Sequence, residues 1–237
     1  RSARHFFSGT MLSRISGMLR DMSMAYAFGT KPSIAAFMVA FRFAHLLRRL
    51  FGEGALQSAF IPQFEAIRHQ SEERALSFFR SLTWTLTLCL VSIIAMGSGA
   101  IACFLGFCHL SSEYEEIFKL TLIMLPSLLF ICLYGINSSF LQCEKVYFTP
   151  SIAPVAFNTI WICFVLYLKG MSEIEAMPWL SFGVVIACFT QWMMTVPQTR
   201  RCCFKLSSTK ASLSSSFGDL RKLTKPLFFF IIGVASS

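Results

Sequence analysis

Five arginines stand where an apolar chain has least reason to keep them. Arg14, Arg20, Arg42, Arg48 and Arg49 lie within two apolar stretches, roughly Phe6 to Gly29 and Pro32 to Pro62, with only Asp21 and Glu53 beside them as carboxylates. An ionisable group at mid-membrane costs a few kcal/mol unless it faces protein or water, so a lipid-facing role is excluded for most of them. Arg14 and Asp21 are seven residues apart, as are Arg42 and Arg49, which places each pair along one helical stripe, while Arg20 and Arg48 lie off those stripes. Two chemistries fit. Arg48 and Arg49 can snorkel to the interface while Arg14 and Arg20 pair with Asp21 or Glu53, and for Arg49 this plainer role is preferred. Taken together, Arg14, Arg20 and Arg48 leave positive charge uncompensated in a low dielectric. Arginine's planar fork binds phosphate oxygens bidentately and keeps its charge when buried, so a phosphate- or pyrophosphate-bearing ligand suits the cluster better than a neutral one.

The elements that must hold these side chains are membrane helices. Of 237 residues, 55% are hydrophobic and 14% charged, against about a quarter charged in a soluble domain. Four further stretches carry no Asp, Glu, Lys or Arg: Ser81 to Ser112, Leu120 to Cys143, Val146 to Leu168, and Ala176 to Thr199. Each exceeds the roughly 20 apolar residues that cross a bilayer. Repeated spans along the whole length are unlike a secretory signal, which is one short apolar run before a soluble chain. Six spans are therefore expected over residues 1–199, then a basic loop over 200–225 and the start of a seventh span at Pro226. Because the sequence opens at Arg1 and stops inside that last apolar run, it is read as part of a longer protein. Gly9, Gly17, Gly29, Gly52 and Gly54 interrupt the first two spans, where glycine permits close helix packing or bending.

Charge gives the orientation. With the N-terminus on the cytoplasmic side, the segments on that side hold Arg1, Arg4, Arg68, Arg74, Arg80, Lys145, Arg200, Arg201, Lys205, Lys210, Arg221, Lys222 and Lys225. The opposite segments hold only Lys31, Lys119 and Lys169, next to an acidic loop with Glu113, Glu115 and Glu116 and another with Glu173 and Glu175. Positive residues stay inside, so the N-terminus is expected in the cytoplasm. The Arg200 to Lys225 segment lacks the interleaved aromatics of a nucleic-acid surface. Anionic lipid headgroups account for it as well.

Other chemistries find little support. Cys89, Cys103, Cys132, Cys163 and Cys188 lie in apolar spans and Cys202 adjoins Cys203, with no C-x-x-C pair of metal spacing, so the thiols read as small hydrophobes. His5, His45, His69 and His109 are isolated, and neither a nucleophile motif nor a phosphate-cradling glycine loop occurs, so no enzyme is expected.

The segment SRISGMLRDMSMAYAFGT, from Ser13, and AAFMVAFRFAHLLRRLFGEGALQSAFIP, ending at Pro62, carry a specific pattern. It resembles the first two helices of the MurJ (MviN) lipid II flippase family, SRxLGxxRDxxxAxxFG and DAFFVAFRxPNLLRRLFAEGAFSxAFxP, in register and at the charged positions. FTPSIAPVAFN is a weaker match, with Pro150, Ala153, Pro154 and Asn158 in place, and Pro226 with Gly233 a third. The spans between Ser81 and Cys143 match only in hydropathy.

The resemblance implies an all-α polytopic membrane protein, the N-terminal lobe of a MATE-like (MOP) fold whose full members have fourteen spans in two lobes. It implies movement of an undecaprenyl-pyrophosphate-linked peptidoglycan precursor, lipid II, to the outer leaflet of the bacterial inner membrane by alternating access. The family's cavity arginines fall on Arg14, Arg20 and Arg48, with Asp21, Arg49 and Glu53 supporting. Expected partners are lipid II, membrane lipids and a C-terminal lobe of the same chain, with no nucleic acid. No cofactor or metal is expected, and coupling to membrane potential or an ion stays open. The chain departs from the pattern at Ala35, where the family has an acidic residue, and at Ala44-His45 in place of Pro-Asn. The first departure puts in doubt any proton or cation relay through that carboxylate. The alternatives are a related exporter of another polyprenyl-linked sugar or an organic cation, and a non-transporting membrane scaffold.

Overall fold

The computed structural model describes residues 2–29, 32–48, 55–107 and 111–207, with side chains at 8–29, 33–42, 58–107 and 111–206. Eight helices follow one another: α1 Ser2–Phe28, α2 Pro32–Arg48, α3 Ala55–Arg68, α4 Glu72–Phe107, α5 Ser112–Met124, α6 Ser127–Cys143, α7 Phe148–Leu168 and α8 Glu173–Ser207. No strand occurs among the described residues. By length and composition α4, α7 and α8 can each cross a membrane, and a fourth span forms if α5 and α6 count as one. The all-α polytopic architecture expected from the charge-free runs is therefore present. α1 carries Arg14, Arg20 and Asp21 and does not meet the same criterion, while α2, at 17 residues, is apolar over Ser33–Arg42 but shorter than a full span.

Four boundaries differ from the sequence reading. The run Leu120 to Cys143 is not one straight helix: α5 and α6 meet at a 42° bend, where Pro126 at the junction supplies no N–H to continue the ladder. The second stretch does not end at Pro62, which lies inside α3; Phe60, Phe64 and Ile67 are buried on either side of it and hold the helix on to Arg68. The acidic residues expected in loops instead open helices, Glu113 and Glu115 in the first turn of α5, Glu173 and Glu175 in that of α8, where carboxylates favour the positive end of the helix dipole. α8 likewise runs through Arg200, Arg201 and Lys205, so part of the segment expected as loop is helix. The rest of that loop and the expected seventh span lie outside the described residues.

α1 packs along α7, α7 along α8, and α8 along α6, while α2 rests on α5 and α3 on α4 and α6. One apolar cluster, including Phe37, Trp161, Met177, Leu180 and Val184, joins α2, α7 and α8. A second, built on Phe60, Phe64, Phe78, Phe79 and Phe140, joins α3, α4 and α6, its rings stacked at 4.3 Å for Phe79 with Phe140 and 5.3 Å for Phe60 with Phe64. In lipid no hydrophobic force drives helices together, so such ring contacts and close small-residue seams carry the association. Several span hydroxyls are spent locally: Thr83, Thr87, Ser139 and Ser181 each donate to the carbonyl four residues earlier, which removes an otherwise costly unpaired group.

The ends of α3, α6 and α8 gather at one basic end of the bundle. There Arg68 Nη1 donates to the Cys143 carbonyl at 3.1 Å and lies 3.1 Å from Glu144 Oε1 and 3.7 Å from Glu65 Oε1. Burial pushes the Glu144 carboxyl above the usual carboxylate range; Arg68 and Lys205 oppose the rise, and Glu72 and Glu65 add to it. The folded protein therefore holds this proton at a pH where the unfolded chain has released it. The contribution grows as pH falls through the raised value and is lost as pH climbs back through it. In thermal scans of the full-length protein in detergent, the unaltered chain is expected to gain on Glu144→Gln as pH drops from about 7 towards about 5. A difference that is flat or runs the other way refutes it.

Candidate functional site

The arginine that sequence spacing singles out is positioned by the seam between α1 and α7. A Cβ built on Gly9 would come within 2.9 Å of Ser151 Cβ, so only glycine lets the two backbones approach this closely. Farther along the seam Asn158 of α7 is 5% exposed. Its Nδ2 donates to Ser16 Oγ at 2.8 Å and to the Ser13 carbonyl at 3.4 Å, tying α7 to α1. Its Oδ1 accepts from Arg20 Nη1 at 3.4 Å.

Three groups hold the Arg20 guanidinium. Nε and Nη2 both donate to Asp21 Oδ1, at 2.9 and 2.8 Å. Nη1 reaches Asn158, and the guanidinium carbon stands 5.1 Å from the centre of the Trp161 ring, within range of a cation–π contact. Trp161 is in turn fixed edge-on by Phe41 at 4.8 Å and Phe37 at 5.8 Å. Its indole Nε1 is buried and, among the described residues, has no hydrogen-bond partner. A small cavity of about 120 Å³ opens between Arg20, Asp21, Met24, Met38, Phe41 and Trp161. It brings the Arg20 guanidinium together with the apolar wall that Met38 and Phe41 of α2 supply.

Of the six residues expected at the site, the structure brings Arg20 and Asp21 together. Arg20 is thus not the uncompensated charge that the spacing suggests, although its counter-charge is weakly held: the Asp21 side chain is 71% exposed, and an exposed ion pair is worth about 0–1 kcal/mol. Arg14 is exposed on α1, on the same stripe as Asp21. Arg48 is the last residue of α2, but its side chain lies outside the described residues, as do Arg49 and Glu53 altogether. The sequence reading did not place Asn158 and Trp161 at the site. A polar residue in a charge-free span, with an aromatic three positions on along the same helical face, is the signal that marks them.

A family model described as Lipid II flippase MurJ matches residues 24–237. The chain is 36% identical over 197 residues to a probable lipid II flippase MurJ of Chlamydia pneumoniae, covering 83% of this chain and 36% of that protein. It is 29% identical over 198 residues to a lipid II flippase MurJ of Burkholderia cenocepacia, covering 81% and 38%. The chain therefore spans little more than a third of the length of these curated relatives. In fold it matches a lipid II flippase MurJ in an inward closed conformation, with a TM-score of 0.72 at 23% identity over 97% of this chain and 47% of that one. A MOP superfamily transporter from Pyrococcus furiosus matches with a TM-score of 0.68 at 14% identity, over 99% and 52%. Its helices are those of a multi-pass membrane protein, arranged as a lobe of the MOP fold, and the chain belongs to the lipid II flippase MurJ family.

Proposed function

We propose that this chain forms one lobe of a lipid II flippase of the bacterial inner membrane, its N-terminus cytoplasmic, which carries the polyprenyl-pyrophosphate precursor to the outer leaflet by alternating access. The observation that supports this reading most is the setting of Arg20. Asn158 and Trp161 fix the guanidinium from the protein side, and the exposed Asp21 covers the fork from the open side. An arriving pyrophosphate brings more charge than one carboxylate and displaces Asp21 without moving the scaffold. Arg14 on the same exposed helix and Arg48 at the end of α2 are the further arginines proposed to meet the substrate, with Arg49 and Glu53 supporting them.

An exporter of organic cations is disfavoured by the same geometry, because the carboxylate at this cavity is already engaged by Arg20. The full-length protein is expected to restore growth to cells depleted of their own lipid II flippase. At matched expression, failure of the unaltered protein to do so, together with normal membrane insertion, rejects the lipid II assignment and favours a scaffold or an exporter of another polyprenyl-linked sugar.

A further inference from the structure

A second and larger cavity, of about 620 Å³, lies on a different face, between α4, α6 and α8. That volume is typical of a small-molecule site. No residue lining it lines the Arg20 cavity. Arg80 and Arg200 stand at its basic end, both exposed, and among the described residues neither is paired with a carboxylate. From there the groove runs towards the bilayer interior past Thr83, Thr87 and Asn137. Arg80 and Thr87 are seven positions apart on α4, which is about 10 Å of helix.

Two details point to an occupant. Thr199 lines the groove, is 7% exposed, and its Oγ1 is buried without a hydrogen-bond partner among the described residues. A hydroxyl left so at a membrane interface costs free energy unless something entering the groove satisfies it. The outer wall is Trp84, 70% exposed on α4, a helix that faces away from the bundle over most of its apolar length. The groove is therefore open sideways, and its tryptophan stands one helical turn from Arg80, a pairing of the kind that favours the headgroup boundary.

We propose that this groove binds an anionic glycerophospholipid. Its phosphate sits between Arg80 and Arg200, its ester region meets the Thr199 hydroxyl and Asn137, and an acyl chain lies along Trp84, Leu133 and Trp192. Two guanidiniums with no carboxylate partner complement one phosphodiester, and the apolar inner length matches the start of a fatty-acyl chain rather than a free anion. The inference stands on membrane insertion alone and is independent of what the protein transports.

Bromine on the acyl chains quenches nearby tryptophan, and Trp84 and Trp192 are the reporters in the groove. The full-length protein is reconstituted in phosphatidylethanolamine vesicles with rising fractions of brominated phosphatidylglycerol or brominated phosphatidylcholine. Phosphatidylglycerol is expected to reach half-quenching at a mole fraction at least fivefold lower, about fivefold for each cation at an anionic surface. Arg80→Gln with Arg200→Gln brings the two curves together. Both positions are exposed helical sites, so the fold tolerates the change, and the shape-conserving Thr199→Val provides a separate test by moving both curves to higher mole fraction, because the two lipids share the ester region. Arg74→Gln, at an exposed arginine of α4 that does not line the groove, leaves the gap unchanged. The proposal is overturned if the unaltered protein shows no preference, or if the double variant keeps it. It is equally overturned if Arg20→Ala abolishes the preference, which moves the phosphate site to the α1–α7 seam, or if excess inorganic phosphate displaces the quencher, which makes the groove a free-anion site.

Discussion

Arg20→Ala in the full-length protein is expected to abolish rescue of flippase-depleted cells, and Arg20→Lys to recover little of it. A charge-assisted hydrogen bond is worth about 1.5–3 kcal/mol, so losing a bidentate grip on a pyrophosphate lowers substrate handling by about a hundredfold or more. Lysine keeps the charge but presents a single ammonium. It cannot hold Asn158 Oδ1, lie over Trp161 and face two phosphate oxygens at once, as the fork of Arg20 can. The measurement is growth rescue together with the rate of lipid II reaching the outer leaflet, at equal protein in the membrane. Full rescue by Arg20→Ala removes the anion site from the mechanism and leaves the scaffold reading ahead. Asp21→Asn is the useful contrast. If the carboxylate only covers an empty fork, its removal leaves most of the transport intact.

The sequence announced some of this architecture and hid the rest, for reasons that can be read from single residues. α4, α7 and α8 are visible as long runs without charge. The break between α5 and α6 is not, because a hydropathy sum over Leu120 to Cys143 has no knowledge of direction and Pro126 is one residue among many. α1 is too charged and α2 too short to stand out as a span on these grounds, and it was the register of their charged positions that identified them. At the site Arg20 was legible because a guanidinium in an apolar helix demands an explanation. Its pairing with Asp21 was legible only as one of two readings and without a geometry, since neighbours at successive positions do not face each other on a helix. The long arginine arm curls back to make the contact, which spacing rules do not anticipate. Trp161 was invisible for the opposite reason. An aromatic residue in an apolar span looks like packing, and it does pack; only the placement of its ring beside Arg20 gives it a second role.

Asn158 separates a site that is merely present from one that is held in place. Asn158→Leu keeps the volume but removes the donors to Ser16 and Ser13 and the acceptor for Arg20. The loss to folding is expected to be modest, about 1 kcal/mol, because Ser16 Oγ still donates to the Ser13 carbonyl at 2.9 Å and no buried donor is orphaned. Transport is expected to fall more steeply, about tenfold, since a fork tilted by even a small angle meets only one phosphate oxygen well. The decisive measurement is the double variant. If Asn158 acts by orienting Arg20, then Asn158→Leu costs transport almost nothing once Arg20 is already alanine, so the two losses fail to add. If they add in full, Asn158 is a structural tie between α1 and α7 and nothing more, and Arg20 is oriented by Trp161 alone. Thermal stability distinguishes the cases from the other side: a purely structural Asn158 lowers the melting temperature in proportion to its effect on transport, whereas a positioning residue does not.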